Sequence, residues 1–202
     1  MRSGYLLALV LAFLSAPLFA QSNDVGLWVS GAHLSTTTGT DGSDVKFSSA
    51  HGYGASYNHF WFGHFSTDFA YASLRSNGHI RVDGENVLDL GRLTTKVGTA
   101  IAQWHFHRGG FIDPYLGAGA AYVKAGTLNS SDLAQSSIGQ INIDKKWGWA
   151  ANAGVNLNLG HNLALAIDDK YVPYKPSSTS AASSLKLKLN PNILSAGVRF
   201  RF

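Results

Sequence analysis

The chain has 202 residues, no cysteine, 22 glycines and only 14% charged residues, with a formal net charge of +4. A soluble globular domain carries roughly 25% charged residues, so charge has been exchanged here for Gly, Ser, Thr and Asn. Disulfides, thiol nucleophiles and thiolate metal sites are excluded, and the mild positive balance is too weak to argue for a nucleic-acid partner.

The first predicted element is a leader. Residues 1–20, MRSGYLLALVLAFLSAPLFA, set one early cation, Arg2, before an apolar run from Tyr5 to Leu14, then small residues and Pro17. That order reads as a secretory signal peptide cut after Ala20, and the run is too short to span a bilayer as a helix. Residues 21–202 then form one domain.

Beyond Gln21 no window sustains an apolar 3.6-residue period. Alternation in twos takes its place, in eight runs near 25–34, 51–61, 65–74, 93–107, 114–125, 146–158, 162–174 and 186–202. In the first, Trp28 alternates with Ser30 and Ala32, and Leu34 continues that face. The second sets Tyr53, Ala55, Tyr57, His59 and Trp61 against Gly54, Ser56, Asn58 and Phe60; the third sets Phe65, Thr67, Phe69 and Tyr71 against Ser66, Asp68, Ala70 and Ala72. The sixth sets Trp147, Trp149, Ala151, Ala153, Val155 and Leu157 against Gly148, Ala150, Asn152, Gly154 and Asn156. The last alternates Leu194, Ala196, Val198, Phe200 and Phe202 with Ser195, Gly197, Arg199 and Arg201.

Connections near 62–64, 108–113 and 159–161 are short, whereas those near 35–50, 75–92, 126–145 and 175–185 are long and polar. Short and long alternate, as in a meander with turns at one rim and loops at the other. The faintly polar face opposite the aromatics is an inversion, apolar outside and polar inside, which marks an outer-membrane β-barrel. Lipid offers no partner to an edge strand, so the sheet must close on itself, and eight strands leave an interior that side chains nearly fill. The fold expected is all-β: an eight-stranded antiparallel up-and-down transmembrane barrel in the outer membrane of a Gram-negative bacterium. Trp61, Phe62, Phe65, Trp104, Phe106, Phe200 and Phe202 cluster on the short-turn side as a periplasmic girdle.

The segments DPYLGAGAAYV (113–123), KKWGWAANAGVNLNL (145–159), LALAIDDKYVPYK (163–175) and LNPNILSAGVRFRF (189–202) resemble the OmpW family. The resemblance spans most of the chain after the leader. It implies a narrow, largely hydrophobic channel linked to uptake of small apolar molecules, with alkane-uptake proteins among the relatives. It also implies that the terminal Phe202, with Phe200 two before it, is the signal read by the barrel-assembly machinery. Two departures stand out. Lys96-Val97-Gly98 occupies a place where the family often carries Leu-Pro-Pro, which weakens the case for a sideways exit. Asp169 falls on the face that Leu163, Leu165, Ile167 and Tyr171 turn to lipid, so a bulge at Asp168–Asp169 or a place near the headgroups is expected.

Parity points Asp68, Gln103, His105, Asp168, Lys170 and Arg199 into the lumen, with Asn152, Asn156 and Arg201. These are candidates for a polar plug that closes the barrel to ions; the plainer reading is that they pair off inside a packed barrel. Trp28, Leu34, Phe47 and Trp147 are candidates for an apolar mouth that takes a ligand with few polar groups. Trp147 shares a face with Trp149 and fits an outer girdle equally well.

A lipid A-modifying enzyme was weighed against these, because His64-Phe65-Ser66 with Asp68 has a hydrolase look. His64 lies at the short-turn rim, away from where such chemistry is needed, and no catalytic role, metal or cofactor is expected. The expected function is a narrow channel or binding site for uptake of small hydrophobic molecules. The alternative is a structural or surface-interaction barrel whose long loops act as adhesin or receptor. Expected partners are outer-membrane lipid and lipopolysaccharide, a small hydrophobic ligand and the barrel-assembly machinery.

Overall fold

A computed structural model of the protein describes residues 22–33, 37–38, 43–47, 49–82, 85–126, 142–143, 145–173, 177–179, 184–186 and 192–202. The expected leader lies outside them. Eight long strands form the wall: β1 (Asn23–His33), β2 (Ala50–Phe62), β3 (Phe65–Val82), β4 (Glu85–His105), β5 (Ile112–Ala125), β6 (Lys146–Asn158), β7 (Leu163–Tyr171) and β8 (Asn192–Arg201). Each pairs antiparallel with the strand before and after it. β8 returns to β1 from Asp24↔Arg201 to His33↔Asn192, so the wall closes. In β1, Asn23 N donates to Phe202 O at 3.1 Å and receives the reverse bond, Phe202 N to Asn23 O, at 2.9 Å. The C-terminus is therefore zipped to the first strand.

Side-chain parity is kept with little slippage. Along β7, Leu163, Leu165, Ile167 and Tyr171 face out, while Ala164, Ala166, Asp168 and Lys170 are buried. No bulge interrupts it: Asp168 pairs with Ser195 and Asp169 with Leu194. Asp169 thus faces outward one pleat below Tyr171, which packs on Trp149 with ring centroids 5.6 Å apart. Of the two expected alternatives, the bulge is therefore ruled out. Exposed Trp61, Phe62, Trp104, Phe106 and Phe111 belt the short-turn rim, and Tyr53, Tyr71, Trp147, Trp149 and Tyr171 belt the wall nearer the long connections. Two such belts flank the apolar band of a transmembrane barrel.

The short turns depend on glycine where the backbone turns left-handed: Gly63 has φ of 36° and Gly109 of 84°. Arg108 ties the two turns together, donating from Nη1 to Gly63 O at 3.0 Å and stacking 3.8 Å over the Phe60 ring. Burial and the neighbouring Arg201 lower its pKa from the ordinary arginine value.

The long connection expected near 75–92 is mostly strand. β3 continues to Val82 and β4 begins at Glu85, with Asp83 and Gly84 between them outside the described residues. A ladder standing in water above the bilayer needs no apolar face, so period-two hydrophobicity fades there although the hydrogen bonds continue. Ser43–Phe47 adds to the edge of this extension, with Phe47 opposite Gly78. Similarly, β8 starts at Asn192, not 186, because Ser184–Lys186 joins a separate small sheet with Ser177–Thr179 and Asn142–Ile143.

Candidate functional site in the barrel interior

The lower half of the interior, toward the short turns, is a charge-paired polar network. Adjacent strands place Asp68, Asn58, Asp24 and Arg201 in one row by register. Arg201 Nε donates to Asp24 Oδ1 at 3.0 Å. Arg199 Nη2 stands 3.8 Å from Asp68 Oδ1 and 3.4 Å from the Tyr115 hydroxyl. Two pleats up in register from Arg199, Asp168 accepts from Lys170 Nζ at 2.5 Å, Asn152 Nδ2 at 2.7 Å and the Tyr115 hydroxyl at 2.9 Å. Lys170 also stands 4.0 Å from Asp68. Three cations, Lys170, Arg199 and Arg201, therefore face three carboxylates, Asp24, Asp68 and Asp168. Desolvating so many charges is costly unless they are paired, and this balance supplies the pairing.

A second cluster crosses four strands beside it. Ser66 Oγ lies 3.2 Å from His105 Nε2, and His105 Nδ1 lies 2.8 Å from Asp113 Oδ2, which also accepts from Asn156 at 3.2 Å. The order Ser-His-Asp matches a hydrolytic relay, but all three residues are 0% exposed. His64, set aside above as a partner for Ser66, is exposed in the turn and stacks on Trp104 with ring centroids 5.6 Å apart.

Trp28 caps the polar network from above. Its indole lies 5.0 Å from the Arg199 guanidinium and 5.9 Å from Lys170 Nζ, and its Nε1 donates to Ser56 Oγ at 2.9 Å. The space comes from glycines: a Cβ at Gly197 would stand 2.8 Å from the indole, and one at Gly26 would stand 2.9 Å from its nitrogen. Gly154 does the same for Tyr115, opposite it in register.

Above Trp28 the inward residues change character. Leu74, Leu93, Val97, Val123, Val172 and Ile193 are all buried, interspersed with Ser30, Thr95, Thr99 and Ser195. Beside the indole, a cavity lined by Trp28, Val97, Lys170 and Ile193 measures about 20 Å³, so little free space remains there.

All six residues expected to form the plug, Asp68, Gln103, His105, Asp168, Lys170 and Arg199, are buried on the inner face. Asp68, Asp168, Lys170 and Arg199 meet in one network, whereas His105 belongs to the Ser66–Asp113 cluster and Gln103 makes no side-chain hydrogen bond among the described residues. Of the mouth candidates, Trp28 faces inward but caps charges and does not line an apolar mouth. Trp147 is a correction: it is 71% exposed on the outer face and packs on Tyr122 at 5.0 Å, because its strand keeps the parity of Trp149. Phe47 sits on the strand added beside β3, outside the eight-stranded wall, and Leu34 lies outside the described residues. Asp113 and Tyr115 were missed. Their signal was present in DPYLGAG, where odd positions alternate with exposed Ile112, Pro114 and Leu116, but the segment was read for resemblance and not for parity.

The β3–β4 ladder is unbroken through Ser73↔Lys96, Ala72↔Val97 and Tyr71↔Gly98, so the wall shows no lateral gap at the place where prolines were absent.

Comparison with known proteins agrees with this geometry. Outer membrane protein AlkL of Ectopseudomonas oleovorans is 28% identical over 125 residues, covering 58% of this chain and 52% of AlkL; the chain thus spans about half the length of that relative. The crystal structure of outer membrane protein OprG from Pseudomonas aeruginosa superposes with a TM-score of 0.77 at 14% identity, over 90% of this chain and 96% of OprG. The solid-state NMR structure of AlkL in lipid bilayers gives a TM-score of 0.64 at 20% identity, over 93% of each chain. These two structural likenesses speak for the fold. The OmpW family model matches residues 28–202, and the chain therefore belongs to the OmpW family, barrels of the Gram-negative outer membrane.

Proposed function

We propose that the barrel takes up small hydrophobic molecules, receiving them from outside into the apolar upper section of its interior. The observation that carries this reading is the division of the interior at Trp28: apolar side chains such as Leu74, Leu93, Val97 and Ile193 above, paired charges below. An apolar guest gains from burial against the upper section, at roughly 25 cal/mol per Å², and gains nothing from the ion-paired layer beneath. That layer bars water and ions, which keeps the outer membrane sealed while the upper section is occupied. The similarity to AlkL and membership of the OmpW family support the same reading.

Uptake of a hydrophobic fluorescent probe by whole cells, with and without the gene, tests it. Slower uptake in the deletion strain, restored by the gene in trans, is expected; equal rates overturn the transport role and leave a structural or surface-interaction barrel. Lipid A mass spectra unchanged on overexpression are expected as well, since Ser66 is sealed.

A further inference from the structure

The outer face of β2–β5 carries two grooves, one above the other, that uptake through the interior does not use. The lower measures about 560 Å³ and is framed by Tyr71, Tyr122 and Trp147 around Gly98, Ala100 and Ala120. Register explains its shape. Tyr71, Gly98, Tyr122 and Trp147 are successive partners across β3 to β6, so one residue without a side chain stands between aromatics. In the row below, Ala100 and Ala120 face each other, flanked by Phe69 and Trp149. The result is a vertical apolar trough, one acyl chain wide in its small-residue floor.

The rows directly above are basic. Lys96 pairs in register with Lys124, one pleat above Gly98 and Tyr122. His51 pairs with Arg75 and Asn77 with Arg92, and these four residues line the upper groove, of about 610 Å³. Lys96, Lys124, Arg75 and Arg92 are exposed, and none of them forms an ion pair with Asp24, Asp68, Asp113 or Asp168. Their height fits the membrane. From Trp104 in the lower belt to Lys96 is eight residues of β4, about 27 Å along the strand at ~3.4 Å per residue. A tilt of about 35–45° turns this into roughly 20 Å, close to the ~25 Å apolar band. Lys96 and Lys124 stand at the outer interface and the two arginines just beyond it.

We propose that this wall is a binding site for a bis-phosphorylated, multiply acylated glycolipid of the outer leaflet, the lipid A part of lipopolysaccharide. One acyl chain lies in the trough over Gly98, Ala100 and Ala120, and the phosphates are held by the Lys96–Lys124 and Arg75–Arg92 pairs. Charge complementarity selects this occupant: four cations on two levels match two phosphates on a rigid disaccharide, whereas a phospholipid such as phosphatidylglycerol offers one phosphodiester. Arginine's fork suits phosphate oxygens in particular.

Native mass spectrometry of the folded full-length barrel in detergent tests this, with bis-phosphorylated hexa-acyl lipid A, its monophosphoryl form and phosphatidylglycerol as probes. The expected result is one retained lipid A, with affinity lowered tenfold or more for the monophosphoryl form and in R75Q/R92Q and K96Q/K124Q. Filling the trough with Gly98→Leu is expected to lower it as well. These side chains point out of the barrel, and heat-modifiable gel mobility verifies that each variant is folded. Equal lipid A retention by the wild type and both charge variants overturns the site. Retention of phosphatidylglycerol equal to that of lipid A also overturns it, by reducing the trough to an ordinary lipid-facing wall. Neither outcome bears on uptake through the interior.

Discussion

Arg199 shows how much one inward residue carries. It is about 1% exposed, faces Asp68 and the Tyr115 hydroxyl, and lies under the Trp28 ring. Replacing it with Met keeps the volume but leaves Asp68 with Lys170 at 4.0 Å as its remaining cation. Breaking a buried pair by removing one partner costs about 3–5 kcal/mol, so Arg199→Met is expected to lower the free energy of unfolding, read from urea titration, by that order. Single-barrel conductance is expected to rise in the same variant, because an unbalanced carboxylate draws water and cations into the plug. Unchanged stability and conductance would refute the plug. Parity in the sequence pointed Arg199, Asp168 and Lys170 inward, but not which carboxylate each would meet, since those partners lie on other strands.

At the scale of the element, the turn between β2 and β3 and the closing strand are the places where local chemistry dominates. Gly63 at φ 36° sits where an L side chain strains the backbone, by roughly 1–2 kcal/mol. Gly63→Val is expected to destabilise the folded barrel by that amount, read from thermal unfolding in detergent, with the probe-uptake rate per folded barrel unchanged. The last strand makes a different prediction. Phe202 exchanges two main-chain bonds with Asn23, and its ring stacks on Phe200 at 6.3 Å. Deleting Phe202 is expected to reduce the amount of folded barrel in the outer membrane more than the uptake per barrel, as quantified by gel shift and probe assay together. Normal insertion of the shortened chain would rule out the assembly role. Strands β2 and β6 were legible almost to the residue, because each carries a strong apolar face for lipid. The extension of β3 and β4 was not, because the ladder continues there in residues whose sequence carries no apolar period of two.

For the whole molecule, the prediction is that interior polarity, not wall stability, sets uptake. Val97 points into the upper section and is 3% exposed, so Val97→Thr adds a hydroxyl at nearly constant volume. It is expected to slow hydrophobic-probe uptake at a stability cost of about 1–3 kcal/mol, with heat-modifiable mobility retained and uptake read per folded barrel. The same rate as wild type would mean that the upper section does not receive the ligand. The charge-paired layer lies below the apolar section, a polarity that belongs to no single strand.

The sequence by itself determined compartment, strand number and inside-outside parity, because the bilayer imposes an apolar outer face of period two on every strand that crosses it. It also determined closure, since an open edge in lipid leaves unpaired backbone groups, and so accounted for a terminal strand ending in Phe202. Only the tertiary structure decided who meets whom. Trp28 became a cap over Arg199 because Gly26 and Gly197 on the same and neighbouring strands leave room for the indole. Ser66 turned to His105 and away from His64, and Trp147 joined Tyr122 outside. These outcomes depend on stagger between strands far apart in the chain, which hydrogen-bond register fixes and local pattern does not encode.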